Sequence, residues 1–257
     1  MLEMRSAVLD WFLYRRGLRR WREAARKAAS LSLPNLRTER ARARNLRHSL
    51  NELISVADNR LALPIIGSNA FPKPHGTDWA WRPSLWSYPL AVPGRSTVQS
   101  KSRLGDEVTL FHDCQQSELS LRQVRNLREA DLAPFGLRMD VFNFDGSFLS
   151  LVLDLPEQAI QGLQRRHLVR LDTIIELEKP LEIFARLNIK HGPNTDQMVR
   201  ELPLHENSLA VEFDLAYSGI NEKRIERAWL DLIFENPEMS QVTIRDLTLC
   251  RHPRAEL

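Results

Sequence analysis

Beyond residue 137, apolar side chains return at every second position, and a chain with that rhythm cannot bury them on one side of a helix. LEIFARLNIK sets Leu181, Ile183, Ala185, Leu187 and Ile189 against Glu182, Phe184, Arg186, Asn188 and Lys190. LVRLDTIIELE alternates Val169, Leu171, Thr173, Ile175 and Leu177 with Arg170, Asp172, Ile174 and Glu176. SFLSLVLDL places Leu149, Leu151, Leu153 and Leu155 on one face, LAVEFDL does so with Leu209, Val211, Phe213 and Leu215, and AWLDLIFE with Ala228, Leu230, Leu232 and Phe234. Successive side chains of a strand point to opposite faces, so this is the pattern of half-buried strands. In QVTIRDLTLC the parity slips between Ile244 and Leu247, which predicts a bulge near Arg245-Asp246. Asp145-Gly146, His191-Gly192-Pro193-Asn194 and Ser218-Gly219 supply turns between the runs. No strand–helix–strand alternation is found, which excludes a parallel α/β sheet. The fold class expected is mainly β: an antiparallel jelly-roll-like β-sandwich with an N-terminal basic helical arm and one or two short helices.

The short helices are expected at LPEQAIQGLQRRH, with Pro156 at its first position, and at SELSLRQVRNLREAD, where Ser117 or Ser120 would cap a stripe of Leu121, Val124 and Leu127. The arm reads differently. Met4, Val8, Trp11, Tyr14, Leu18, Trp21, Ala25 and Ala28 recur at spacings of three and four, with Arg15, Arg16, Arg19, Arg20, Arg22 and Arg26 opposite. Gly17 weakens this helix and Pro34 ends the pattern, before a second basic stretch with Arg37, Arg40, Arg42, Arg44 and Arg47. Three segments follow: an arm at 1–60, a Trp/Pro-rich strap at 61–105, and the sandwich at 106–257.

The formal net charge of +3 hides a division between these segments. Residues 1–50 carry thirteen Lys/Arg against four Asp/Glu, and the remaining chain twenty-three against twenty-nine. A mildly acidic body has no electrostatic footprint for nucleic acid, so a basic-arm role is the one left for such a partner. Two cysteines, Cys114 and Cys250, make no disulfide framework, and neither a signal peptide nor a membrane-spanning run is legible. A cytoplasmic protein is expected, peripheral to the inner membrane if the arm meets lipid.

Motifs of catalysis are missing. HExxH, GxSxG, CxxC, GxGxxG and the phosphate-cradling loop are all absent. His112-Asp113-Cys114, with His167, His191 and His205 elsewhere, lacks metal-ligand spacing and reads as a strand end with a buried thiol. Asp140, Asp145, Asp154, Asp172, Asp214 and Asp231 lie on or beside strands, where exposed carboxylates solvate a sheet. No cofactor or metal is expected, and no catalytic residue is assigned.

Two stretches remain as candidate binding sites. HGTDWAWRPSLW puts Trp79, Trp81 and Trp86 beside Asp78 and Arg82. Flat rings next to hydrogen-bonding groups can hold a sugar, and the same rings can pin the strap to the core. KHGPNTDQMVRE gathers His191, Asn194, Asp196 and Arg200 at a turn, where sandwich loops bind ligands and where polar side chains also bond their own backbone. Through Trp11, Arg15, Arg16, Arg19, Arg20 and Trp21, residues 1–47 could meet an anionic membrane surface or a protein partner.

Read together, GTDWAWRP (76–83), EADLAPFGLRMDVFNFDGSFLSLVLDLP (129–156), ARLNIKHGPNT (185–195), AWLDLIFENPEM (228–239) and RDLTLCRHPRAEL (245–257) give the chain its resemblance to a domain-of-unknown-function family of Rhodobacterales-type alphaproteobacteria. The resemblance covers most of residues 70–257, implies a bacterial cytoplasmic protein, and carries no catalytic residue. The strand pattern is also similar to the jelly-roll sandwiches of carbohydrate-binding and galactose-binding-like modules, an analogy of architecture alone. The expected function is a non-catalytic binding module with saccharide as its ligand. The alternative is an assembly or membrane-surface adaptor acting through the arm, and the third reading is a carbohydrate-active enzyme. Oligomeric state stays open.

Overall fold

The computed structural model describes residues 2–62, 71–128, 131–204 and 209–254, and the chain divides into two compact units, 1–54 and 55–257. The first unit is helical. Helix α1 (Leu2–Lys27) runs through Gly17 and finishes on Arg26 and Lys27, whose charges suit the negative end of its dipole. A single 3-10 turn (Ala28–Ser30) separates it from α2 (Leu33–Ala62). Pro34, expected to end a helix, falls in the first turn of α2, where its missing N–H has no intrahelical partner to lose. No helix among the described residues is long and apolar enough to cross a membrane.

The second unit is the expected sandwich, and every strand pairing in it is antiparallel. In chain order its elements are β1 (Trp79–Trp81), α3 (Ser84–Ser87), β2 (Gly94–Ser96), β3 (Ser102–Leu104), β4 (Val108–His112), β5 (Leu119–Arg125), β6 (Phe135–Val141) and β7 (Leu149–Asp154). Then come α4 (Glu157–Ile160), β8 (His167–Leu177), β9 (Ile183–His191), β10 (Asn194–Glu201), β11 (Leu209–Asp214), β12 (Ile225–Phe234) and β13 (Ser240–Pro253). The first sheet has the order β11-β8-β13-β6-β5-β2, with β1 added to β13; the second has the order β10-β9-β12-β7-β4-β3. Residues 79–104, expected as a strap, contribute β1, β2 and β3 to these sheets.

The core is built from the parities read in the sequence. Ile183, Ala185, Leu187 and Ile189 of β9, Leu149, Leu151 and Leu153 of β7, and Ala228, Leu230, Leu232 and Phe234 of β12 are buried from the second sheet. Val169 and Leu171 of β8 with Leu209, Val211 and Phe213 of β11 are buried from the first. One expectation fails: the described part of SELSLRQVRNLREAD, residues 117–128 and 131, is no helix. Leu119 to Arg125 pair residue by residue with β6, Leu119 and Leu121 are buried at period two, and Leu127 of the expected helical stripe is exposed. Pairing with an already apolar strand outweighs local helix propensity here. At LPEQAIQGLQRRH the helix forms, but only as the four residues of α4, with Pro156 as its N-cap.

The bulge lies where the parity slips. The register of β13 against β8 shifts between Ile244 and Asp246. Before it, Ser240–Ile244 pair with β6; beyond it, Leu249–Arg251 pair with β1, so the bulge is where β13 exchanges one neighbour for another. Several side chains hold it. Arg82 Nε and Nη2 donate to the two Asp246 oxygens at 2.9 and 2.8 Å, Trp86 Nε1 donates to Ile244 O at 3.0 Å, and Asn126 Nδ2 donates to Arg245 O at 2.8 Å. The Phe71 ring lies 5.0 Å from the Arg82 guanidinium.

Burial pushes the Asp246 carboxyl above its ordinary value, and the Arg82 hydrogen bonds and charge work against that rise. Its folded pKa stays raised, so the stability linked to its protonation is present at low pH and is lost as pH rises through that value. Arg82→Ala leaves the Asp246 charge buried without its cation. Urea denaturation is expected to show a loss of about 3–5 kcal/mol at neutral pH, and a smaller loss as pH falls and Asp246 takes up a proton.

Candidate functional site

The expected strap site is used up internally. Correcting its assignment as a ligand group, Trp86 is fully buried, because α3 drives Leu85 and Trp86 into the core. Arg82 is likewise committed to the interior, its side chain only 2% exposed and the Nε–Nη2 edge of its guanidinium bonded to Asp246. Trp79 and Trp81 do share a side of β1, with ring centroids 6.4 Å apart and planes 26° from parallel. That side is the inner one: both rings pack on the core, and Trp79 lines a small gap with Leu155, Leu163, Val169 and Leu187. Asp78 accepts from Arg251 Nε and Nη2 at 2.9 and 3.1 Å. Burial raises its carboxyl pKa, but the Arg251 bonds and charge prevail and hold it below the usual carboxylate range. Arg251 also donates to Ala159 O and Gln161 O, so strap, β13 and the α4 turn are tied at one guanidinium.

The turn candidate also bonds mostly to itself. His191 is buried, its Nδ1 accepting from Asn221 N and its Nε2 lying 3.3 Å from Asp196 Oδ1, while Asp196 Oδ2 accepts from Gly219 N. Arg200 points away to Glu212 O, joining β10 to β11, and Asn194 is exposed at the start of β10. Among the described residues no cluster of His, Cys, Asp or Glu has a metal-binding arrangement, and His205 lies outside them.

The carboxylates expected to solvate the sheets are tied to cations or turns. Asp140 pairs with Arg138, Asp172 with Arg170 and Asp154 with Arg227, while Asp214 caps a 3-10 turn. Neither thiol is set up as a nucleophile: burial raises Cys114 and pushes Cys250 up to about 11. A thiol reagent at neutral pH is expected to label Cys114 slowly and Cys250 only after unfolding, so Cys114→Ser should abolish native-state labelling.

A different surface stands out, the outer face of the second sheet. The parity that buries Leu230 and Leu187 turns Trp229, Asp231 and Ile233 of β12 outward beside Asn188, Arg186 and Phe184 of β9. On the other flank, Asp154, Val152 and Ser150 of β7 stand opposite the same three β12 residues, and Phe111 and Thr109 of β4 extend the rows. Asp231 Oδ2 accepts from Arg186 Nε and Nη2 at 2.8 and 2.6 Å and from Asn188 Nδ2 at 3.1 Å. Arg227 stacks 4.5 Å from the Trp229 centroid. Where β9 and β12 meet Lys190, a register shift at Glu226 adds a second bulge beside the face.

Three short side chains on this face are buried between longer neighbours: Asn188 at 0%, Asp231 at 3% and Ser150 at 7% exposure. Asn188 Oδ1, Asp231 Oδ1 and Ser150 Oγ have no hydrogen-bond partner among the described residues. A buried polar atom left unpaired costs about 1–3 kcal/mol, so three on one face call for an explanation. Two of them are acceptors only and the third can accept, so what complements them must bring O–H or N–H donors. Sequence reasoning missed this face. Its signal was there in the outward parity, where Trp229-Asp231 and Arg186-Asn188 place a ring, an acid, a guanidinium and an amide at positions that solvation alone would fill with Lys, Glu or Thr.

A protein-family model described as a family of unknown function (DUF6478) matches residues 1–257. No curated protein matches the chain. Among solved structures, the enzymatically active domain of bacteriophage CBA120 tailspike protein 4 is 9% identical with a TM-score of 0.42, the match covering 60% of this chain and 21% of that one. The CBM22-1 xylan-binding domain of Paenibacillus barcinonensis Xyn10C is 8% identical with a TM-score of 0.38, covering 71% of this chain and 100% of that one. The family 11 carbohydrate-binding module of Clostridium thermocellum, solved with a mixed-linked tetrasaccharide, is 11% identical with a TM-score of 0.36, covering 65% and 99%.

Proposed function

Since the chain belongs to the family of unknown function DUF6478, which brings no activity with it, we propose from the geometry that it is a non-catalytic binding module for a neutral saccharide. The ligand lies on the outer face of the second sheet. Trp229 supplies the flat apolar surface on which a sugar ring stacks, and Asp231, Asn188 and Ser150, covered by longer neighbours in the unliganded face, accept from its hydroxyls when those neighbours give way. The observation that carries this reading is that three buried, unpartnered oxygens share one sheet face with a half-buried indole. A ligand that answers acceptors with donors and also has an apolar face is a polyol ring. Phosphates and carboxylates bring no donors and would meet the Asp231 charge.

Arg186 is a positioning residue here: it holds Asp231 Oδ2 and so leaves Oδ1 for the ligand. A catalytic role is not part of the proposal, because Asp231 and its neighbour Asp154 are each bound to an arginine and a glycosidase needs one carboxyl held protonated.

Affinity electrophoresis in gels containing soluble neutral xylans, β-glucans or galactans tests the reading. Retardation of the full chain is expected with at least one, and Trp229→Ala should weaken it by at least about tenfold, the loss of one buried aromatic contact. Asp231→Asn should weaken it too, while far-UV circular dichroism stays that of a β-sandwich. Migration indifferent to every neutral polysaccharide, or a Trp229→Ala variant retarded like the parent, would overturn it.

A further inference from the structure

The saccharide reading leaves the helical unit without a role, and its surface chemistry is of another kind. At ~100° per residue, Trp11, Tyr14, Leu18, Trp21 and Ala25 fall within an arc of about 80° of α1. Arg15, Arg16, Arg19, Arg20, Arg22 and Arg26 fill about 160° of the opposite side. Trp11, Leu13 and Tyr14 are 49%, 59% and 66% exposed. On α2, Leu46, Leu50 and Leu53 share a second apolar arc and are 40%, 47% and 64% exposed, with Arg42 beside that arc and Arg37, Arg40, Arg44 and Arg47 on the other side of the helix. Exposed indole, phenol and leucine side chains on two successive helices are costly in water.

We infer that residues 1–54 form an interfacial anchor that lays α1 and the leucine arc of α2 on an anionic lipid surface. Two independent features choose this occupant. The charge is complementary: thirteen Lys/Arg against four Asp/Glu in residues 1–50, twelve of the thirteen being arginine, whose planar fork suits lipid phosphate. The apolar arc is led by Trp and Tyr, the side chains that settle at the level of lipid headgroups, where one end is dry and the other wet.

Arginine and ring are also placed together. The Arg15 guanidinium lies 4.5 Å from the Trp11 centroid and that of Arg20 lies 5.4 Å from Trp21. A ring at the headgroup boundary thus keeps a cation beside it for the phosphate above. Binding to a nucleic-acid backbone would use the arginine side alone and leave Trp11 and Tyr14 exposed. A helix–helix seam between two copies would bury the apolar arc and leave the arginine arc without purpose. The lipid surface uses both. The helices lie on the surface, since no helix among the described residues is apolar enough to cross it.

The test is co-sedimentation of the full chain with unilamellar vesicles of phosphatidylcholine alone or of phosphatidylcholine and phosphatidylglycerol in equal parts. Partition to the anionic vesicles is expected to exceed that to the neutral ones by about tenfold or more and to fall with added salt. Brominated acyl chains should quench part of the tryptophan emission, and the quenched part should vanish with Trp11→Phe and Trp21→Phe together.

Two variants divide the interaction. Trp11→Ala with Tyr14→Ala should weaken binding to anionic vesicles by about tenfold, through lost apolar burial. Arg15, Arg16, Arg19 and Arg20 changed to Gln should remove the preference for phosphatidylglycerol. No pelleting with anionic vesicles overturns the inference, as does pelleting that neither variant alters. It also fails if the chain ignores vesicles and instead self-associates through Trp11 and Tyr14, or retains an RNA whose binding depends only on the arginines. Each outcome is separate from the saccharide assay, because Trp229 takes no part in it.

Discussion

Arg82 and Asp246 are 164 residues apart in the chain and meet where almost no water reaches them. Their pairing fixes three things at once: where β13 bulges, where the strap turns inward, and which strand lies beside the second half of β13. An ion pair in such a place stabilises little against an apolar substitute, but breaking one partner is severe, so it acts as a register pin more than as a source of stability. Trp86 and Asn126 bind the two carbonyls that flank the bulge, so the irregular backbone of β13 has partners on both sides. A slip of one residue would turn every apolar side chain of β13 to the wrong face.

With the interior closed in this way, the second sheet is free to be chemical on its outer face. The β9 and β12 residues that build the core leave alternate positions facing out, and those positions carry Arg186, Asn188, Trp229 and Asp231. Asp231 is neither solvated nor neutralised by a single contact. It takes three hydrogen bonds on one oxygen and none on the other. That asymmetry leaves Asp231 Oδ1 as an unpaired acceptor on the face. The acidic body and the basic arm divide the charge of the chain, and the saccharide proposal rests on the one and the lipid-surface proposal on the other.

Much of the sandwich was legible because its strands are amphipathic. Leu181 through Lys190 and Ala228 through Phe234 each carry one unbroken parity, and the slip after Ile244 marked the bulge. The stretch around Leu119 was misread, since Ser, Leu, Arg and Gln fit a helix as well as a strand and only the pairing with β6 decides. The strap was misread for a similar reason. A cluster of tryptophans signals either display or burial, and the choice rests on Ile244 O and Asp246, more than 150 residues away. The orphaned oxygens were invisible in sequence, because hydrogen-bond satisfaction belongs to the packed sheet and to no local motif.

The division between a structural strap and a chemical sheet face can be tested directly by the emission of the strap tryptophans. With Trp11, Trp21 and Trp229 replaced by Phe, only Trp79, Trp81 and Trp86 remain to report. Blue-shifted emission, quenched by acrylamide far less readily than free tryptophan, is what rings packed on the core should give. Red-shifted emission with ready quenching from a folded variant would mean that the strap displays its rings to solvent, and the assignment of recognition to the second sheet would be contradicted.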